Sequence, residues 1–151
     1  MEPIAPVTAD TAEQLMDMNL FGWPWTGLVT LFTLLVYLVL AVNSARARSK
    51  YGVKLPRLDG PDDYLRIVRT HLNTLEQMVI FLPLLWLTAF ATNDEMAAMV
   101  GVAWPLSRIL FAIGYYRSVE GRLLGFVLGI LVIVALFILS AIHIVRSLLS
   151  W

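Results

Sequence analysis

The sequence contains no cysteine, which excludes disulfides, zinc–thiolate sites and a protein thiol nucleophile. Any thiol chemistry must therefore arrive with a ligand. Charge is scarce as well: Asp, Glu, Lys and Arg make up 15% of the 151 residues, against about 25% in soluble domains. Acids and bases balance at eleven each, so no basic surface points to a nucleic-acid partner. Basic residues are missing from the first nineteen positions, which hold four acids, Glu2, Asp10, Glu13 and Asp17. A secretory signal opens on basic residues followed directly by an apolar core. Residues 1–22 instead read as a polar leader.

Apolar residues fill the gap that charge leaves. They make up 59% of the chain, against about 45–50% in soluble domains, and the mean hydropathy is +0.76. A surface of this composition faces lipid. About 20 apolar residues cross the hydrocarbon core as a helix, and four segments are long enough. They fall at about residues 25–45, 62–91, 96–116 and 123–145. The chain reads as an all-α integral membrane protein, a single four-helix domain over residues 23–151. Trp23-Pro24-Trp25 supplies an interfacial aromatic anchor and a helix-start proline, and Pro83 is expected to kink the second span.

Charge is distributed unevenly along the chain. Arg46, Arg48, Lys50, Lys54, Arg57, Arg66 and Arg69 surround the first loop, and Arg117 and Arg122 the third. The leader and second loop carry six acids and no base; only Arg146 dissents. The positive-inside rule then puts loops one and three in the cytoplasm and both chain ends outside.

Polar residues inside the spans are not scattered. On a helix turning about 100° per residue, with Arg66 at zero, Arg69, Asn73 and Glu76 fall near −60°, −20° and −80°. His71 points about 140° away from that stripe. In the third span, with Arg108 at zero, Phe111, Tyr115 and Arg122 fall near −60°, −20° and −40° if the helix persists through Gly121. Lipid satisfies neither stripe, so each must face protein or trapped water. Simpler readings exist for the single residues. Arg46 and Arg48 could be snorkelling residues that set topology, Arg66 and Arg69 could pair with Asp62, Asp63 and Glu76, and Arg108 could pair with Glu76. By its face, His71 reads as interfacial or structural.

Two aligned stripes ending near one membrane face are more economically explained by a ligand. Guanidinium groups bind carboxylates bidentately. A lone Glu76 suits an ammonium, and Asn73 can meet a peptide group through both its donor and its acceptor. This mixture fits a small zwitterionic peptide with more carboxylates than amines, such as glutathione, whose thiolate a further arginine would favour.

Three motifs carry a family resemblance. They are the run from Arg66 to Glu76, RIVRTHLNTLE, with Phe81-Leu82-Pro83 after it; the run from Arg108 to Arg122, RILFAIGYYRSVEGR; and Ser44-Ala45-Arg46. With them the chain, over about Trp25 to Ser147, resembles the membrane-associated proteins in eicosanoid and glutathione metabolism (MAPEG), among them microsomal glutathione transferases and leukotriene C synthase. The resemblance implies a homotrimer that binds glutathione between subunits, uses no metal and takes a hydrophobic electrophile or lipid co-substrate from the bilayer. It implies that Arg69, Asn73 and Glu76 hold glutathione's backbone and that Tyr115 hydrogen-bonds the tripeptide. Arg122 then stabilises the thiolate with Arg46 as helper, and Arg66, His71 and Arg108 complete the candidate set. The implied activity is conjugation of glutathione or reduction of lipid hydroperoxides; the alternative is a non-catalytic lipid-binding scaffold of the same family. Phe111, Leu72 and Gln77 depart from polar residues carried by family members, which bears on the co-substrate. The charge-poor leader and compact loops suit a bacterial inner-membrane member.

Overall fold

The computed structural model describes residues 22–150; the leader, apart from Gly22, and Trp151 lie outside them. Four helical spans run up and down as one bundle, and among the described residues there is no strand.

The first span is α1, Pro24–Lys50, a little longer at each end than the expected 25–45. Pro24 takes the first helical position, where a missing N–H costs nothing. The buried residues Thr26, Val29, Thr33, Val36, Leu40 and Ala47 form one seam at helical spacing. Leu28, Leu31, Leu35 and Leu38 point outward, toward lipid.

The loop after α1 folds back on the helix. Arg48 donates to the carbonyl of Arg57 at 2.8 Å and lies over the ring of Tyr64. Arg48 is thus a loop clamp. At the loop's exposed tip, a hydrogen bond from Arg57 and its charge hold the Asp59 carboxyl below its ordinary range.

The second span is α2, Asp62–Ala91, matching the expected bounds. Asp62 and Asp63 occupy its first turn, where acids complement the helix dipole. The helix continues past Pro83 to Ala91.

The third span departs from expectation. It is two helices, α3 (Asp94–Gly101) and α4 (Ala103–Arg117), separated at Val102. Pro105 lacks the N–H that would bond to the carbonyl of Gly101 four residues back, which accounts for the break. The fourth span, α5 (Leu123–Leu149), follows a single 3-10 turn at Glu120–Arg122 and outruns its expected end at residue 145.

Two features lock the spans together. Phe81 of α2 stacks on Trp104 of α4 with centroids 4.3 Å apart, beside Leu85, Ala89 and Leu136. Deeper toward the other end, Thr88 and Ser140 share a buried hydroxyl hydrogen bond of 2.8 Å. Helices α4 and α5 approach each other closely. A side chain at Gly125 would overlap the backbone of Phe111, and one at Gly129 would overlap the guanidinium of Arg108.

Candidate functional site

The two polar stripes meet in one partly open cavity of about 400 Å³. Its lining comprises Arg69, Leu72, Asn73 and Glu76 from α2, Phe111 and Tyr115 from α4, Arg122 from the 3-10 turn, and Leu123 and Phe126 from α5. All these positions lie toward the end of the bundle that carries loops one and three. Asn73 is eleven residues into α2, roughly 16 Å along the helix at 1.5 Å per residue.

The α2 side of the cavity is a direct consequence of helical spacing. Arg69, Asn73 and Glu76 recur at intervals of four and three, so they share a face. Arg69 and Glu76 are exposed in the single chain, and Asn73 is half-buried.

The other wall arises differently from the way the sequence suggests. Helix α4 does not persist through Gly121; it ends at Arg117, and Ser118 is extended. The chain then turns, with the Ser118 hydroxyl accepting from the N–H of Gly121 at 3.0 Å. Gly114 and Gly121 approach so closely that a side chain on Gly114 would strike the Gly121 carbonyl. This turn brings the guanidinium of Arg122 over the ring of Tyr115, 5.2 Å from its centroid. Arg122 is therefore seated on an aromatic face at the cavity wall by a glycine-enabled turn. Tyr115 in turn packs against Phe111.

Four other candidates do not line the cavity. Arg66 pairs with Asp63 one turn back on its own helix. His71 stacks on Tyr37 of α1, and its Nε2 lies 3.0 Å from the tyrosine hydroxyl. Arg46 is exposed on the last part of α1. Arg108 is fully buried behind the cavity and reaches Asn73 rather than Glu76, its Nη1 donating to Oδ1 at 3.4 Å. One acceptor position of Asn73 is thus already engaged, which narrows its part from donor and acceptor to mainly donor. The Gly125-to-Gly129 spacing, four residues apart on α5, was the available signal for this arrangement, since small residues at that interval let a neighbouring helix come close.

Chemically, the cavity offers two guanidinium groups, one carboxylate, one amide and one phenol against an apolar floor of Phe111, Leu123 and Phe126. Net positive charge suits an anionic ligand with an ammonium group for Glu76 to hold. Among the described residues, no three His, Asp or Glu side chains gather as a metal site.

Comparison with known proteins is consistent with this architecture. The family model described as "MAPEG family" matches residues 26–142. The chain belongs to the MAPEG family. An uncharacterized Synechocystis protein is 48% identical over 105 residues, covering 70% of this chain and 77% of that protein. Microsomal glutathione S-transferase 2 of Bos taurus is 34% identical over 110 residues, 73% of this chain and 75% of the relative. Leukotriene C4 synthase of Bos taurus is 30% identical over 95 residues, 63% of each chain. The matched MAPEG region contains the whole cavity, from Arg69 to Phe126.

Proposed function

We propose that this MAPEG protein is a membrane glutathione transferase that conjugates glutathione to hydrophobic electrophiles. The observation that carries the reading is Arg122 stacked over Tyr115 in the same cavity as Arg69, Asn73 and Glu76. Relatives named glutathione transferase and leukotriene C4 synthase support it. In this reading Arg69 binds a carboxylate, Glu76 the α-ammonium and Asn73 a peptide oxygen of the tripeptide. Tyr115 adds a hydrogen bond, and Arg122 faces the sulfur, with Arg46 as a helper.

The chemistry follows from charge. Glutathione's thiol loses its proton to solvent, and the thiolate that remains is stabilised by Arg122. Lowering a thiol pKa by two units from about 8.5 corresponds to roughly 2.7 kcal/mol, within the range of one partly desolvated arginine. The sulfur then attacks an electrophilic carbon, a carbon–sulfur bond forms, and the leaving group departs with its electron pair. The same thiolate supports peroxidase chemistry: two glutathiones and a lipid hydroperoxide give the disulfide, the lipid alcohol and water. Phe111, Leu123 and Phe126 supply an apolar surface for such a co-substrate.

The wider assignment is a homotrimer whose neighbour closes the open side of the cavity. It sits in a bacterial inner membrane with both chain ends outside and the glutathione site toward the cytoplasm, serving detoxification. A lipid-presenting scaffold is favoured by the apolar floor alone, and it leaves the stacked Arg122 without a task. The deciding experiment is an ultraviolet difference spectrum when the purified protein meets glutathione. A thiolate band is the expected result; binding without that band, and without conjugation or peroxidase turnover, favours the scaffold.

A further inference from the structure

Arg108 is the one charged side chain in the fully buried set of the described residues. Its guanidinium reaches three helices at once. Nη2 donates to the carbonyl of Gly125 on α5 at 2.7 Å, Nε to the hydroxyl of Ser107 on α4 at 3.3 Å, and Nη1 to Oδ1 of Asn73 on α2 at 3.4 Å. The space for it is built in, because a side chain at Gly129 would occupy the position of Nη2. No carboxylate pairs with it among the described residues.

The consequence lies in the direction of the Asn73 amide. A guanidinium has five donors and no acceptor, so only the amide oxygen can face it. Flipping the amide would set N–H groups against N–H groups inside the bundle. The other end, Nδ2, has no protein partner among the described residues and is not sealed from solvent, and Asn73 lines the cavity. What Asn73 offers there is therefore N–H.

We propose that Arg108 is a positioning residue that locks Asn73 as a hydrogen-bond donor toward the cavity, so that the ligand group seated there must be an acceptor oxygen, a carbonyl or a carboxylate. A ligand presenting N–H at that point is rejected. The inference takes its ligand from the glutathione reading, but the orientation of Asn73 is a property of the protein alone.

Two measurements on the purified full-length protein in detergent test it. The first needs no ligand. In protein labelled with nitrogen-15 at asparagine, the Asn73 side-chain amide pair, identified by its loss in Asn73→Ala, is expected to be sharp and resolved. Arg108→Met should shift and broaden it, and Arg108→Lys, which keeps one donor, should partly restore it. An amide pair indifferent to both changes overturns the proposal. Should Arg108→Met fail to fold, the lysine variant carries the test, with a smaller shift in the same direction expected and no shift overturning the proposal.

The second measurement is glutathione titration calorimetry. Asn73→Asp keeps an oxygen toward Arg108 but turns an acceptor toward the ligand. Binding should weaken by about tenfold or more, at least as much as in Asn73→Ala. An aspartate variant that binds like wild type overturns the proposal. In the Arg108→Lys background the cost of Asn73→Ala should shrink to a few-fold; an undiminished cost overturns the coupling. Wild-type protein that ignores glutathione sinks the glutathione reading instead, and the amide spectrum still decides the orientation of Asn73.

Discussion

Asp94 caps a helix to which it does not belong: its Oδ1 accepts from the backbone N–H of Thr26 at 2.7 Å. The other oxygen accepts from the N–H of Trp25 at 2.9 Å. Helix α1 has no side-chain cap of its own at Trp23, so its first N–H groups would otherwise lack partners. Asn93, the residue before, caps α3 by accepting from Met96 N–H at 2.8 Å. Asp94 therefore ties the start of α3 to the start of the first span, while Asn93 caps α3 itself.

Removing that cap should destabilise the bundle without touching the cavity at its other end. Asp94→Ala is expected to cost about 0.5–2 kcal/mol, the range measured for lost helix caps. Asp94→Asn, which retains one oxygen acceptor, should cost less. Resistance to unfolding in a denaturing detergent series reads the effect, and an alanine variant as resistant as wild type would show the contact to be dispensable.

The spans were legible because length and the lack of charge are strong signals where water is excluded, and α2 matches its expected bounds. The break at Val102 was harder to see. A proline's missing N–H frees a carbonyl four residues earlier, so the fault from Pro105 appears away from the proline. Conversely, Pro83 leaves its helix continuous. The site was half legible. Helical spacing alone collects Arg69, Asn73 and Glu76 on one face, whereas the seat of Arg122 depends on the turn between Ser118 and Gly121. The angular argument reached Arg122 only by extending a helix that stops at Arg117. A helical wheel also cannot choose between Asn73 and Glu76 as the partner of Arg108, because the two lie within one turn. The choice is made by depth in the bundle, and depth is set by Gly125 and Gly129 on another span.

Topology is tested by reporter position. Nine of the eleven basic residues flank loops one and three, so fusions after Trp151 and within Lys50–Asp59 should report opposite compartments, the loop being cytoplasmic. A cytoplasmic signal from the Trp151 fusion would invert the map and move the proposed site to the other side.

Among the described residues, Glu76 is the only acid lining the cavity. Glu76→Gln keeps its size and removes the charge proposed to hold an ammonium. Glutathione binding should weaken by at least about tenfold, or about 1.4 kcal/mol, with the fold retained. Glu95→Gln, at the start of α3 and away from this cavity, is the control and should bind as wild type does. Equal affinity in both variants would remove Glu76 from the ammonium role.

Arg122 separates an enzyme from a scaffold. Its guanidinium rests on Tyr115, and its proposed task is to stabilise negative charge that sulfur carries only as thiolate. Arg69, Asn73 and Glu76 are assigned to the tripeptide's carboxylate, peptide oxygen and ammonium, so Arg122→Ala should reduce thiolate formation far more than binding. Turnover with a hydrophobic aryl halide is expected to fall on the order of 10²-fold, about 2.7 kcal/mol, with a much smaller change in glutathione affinity. Arg117 is exposed at the end of α4 and absent from the cavity lining. Arg117→Ala is therefore the matched control, expected to stay within a few-fold of wild type. The thiolate absorbance change, measured alongside turnover, distinguishes loss of activation from loss of the co-substrate site. If conjugation survives Arg122→Ala unchanged, thiol activation belongs to another cation, and Arg46 is the next to replace. A loss confined to Arg46→Ala would then identify it as the activator.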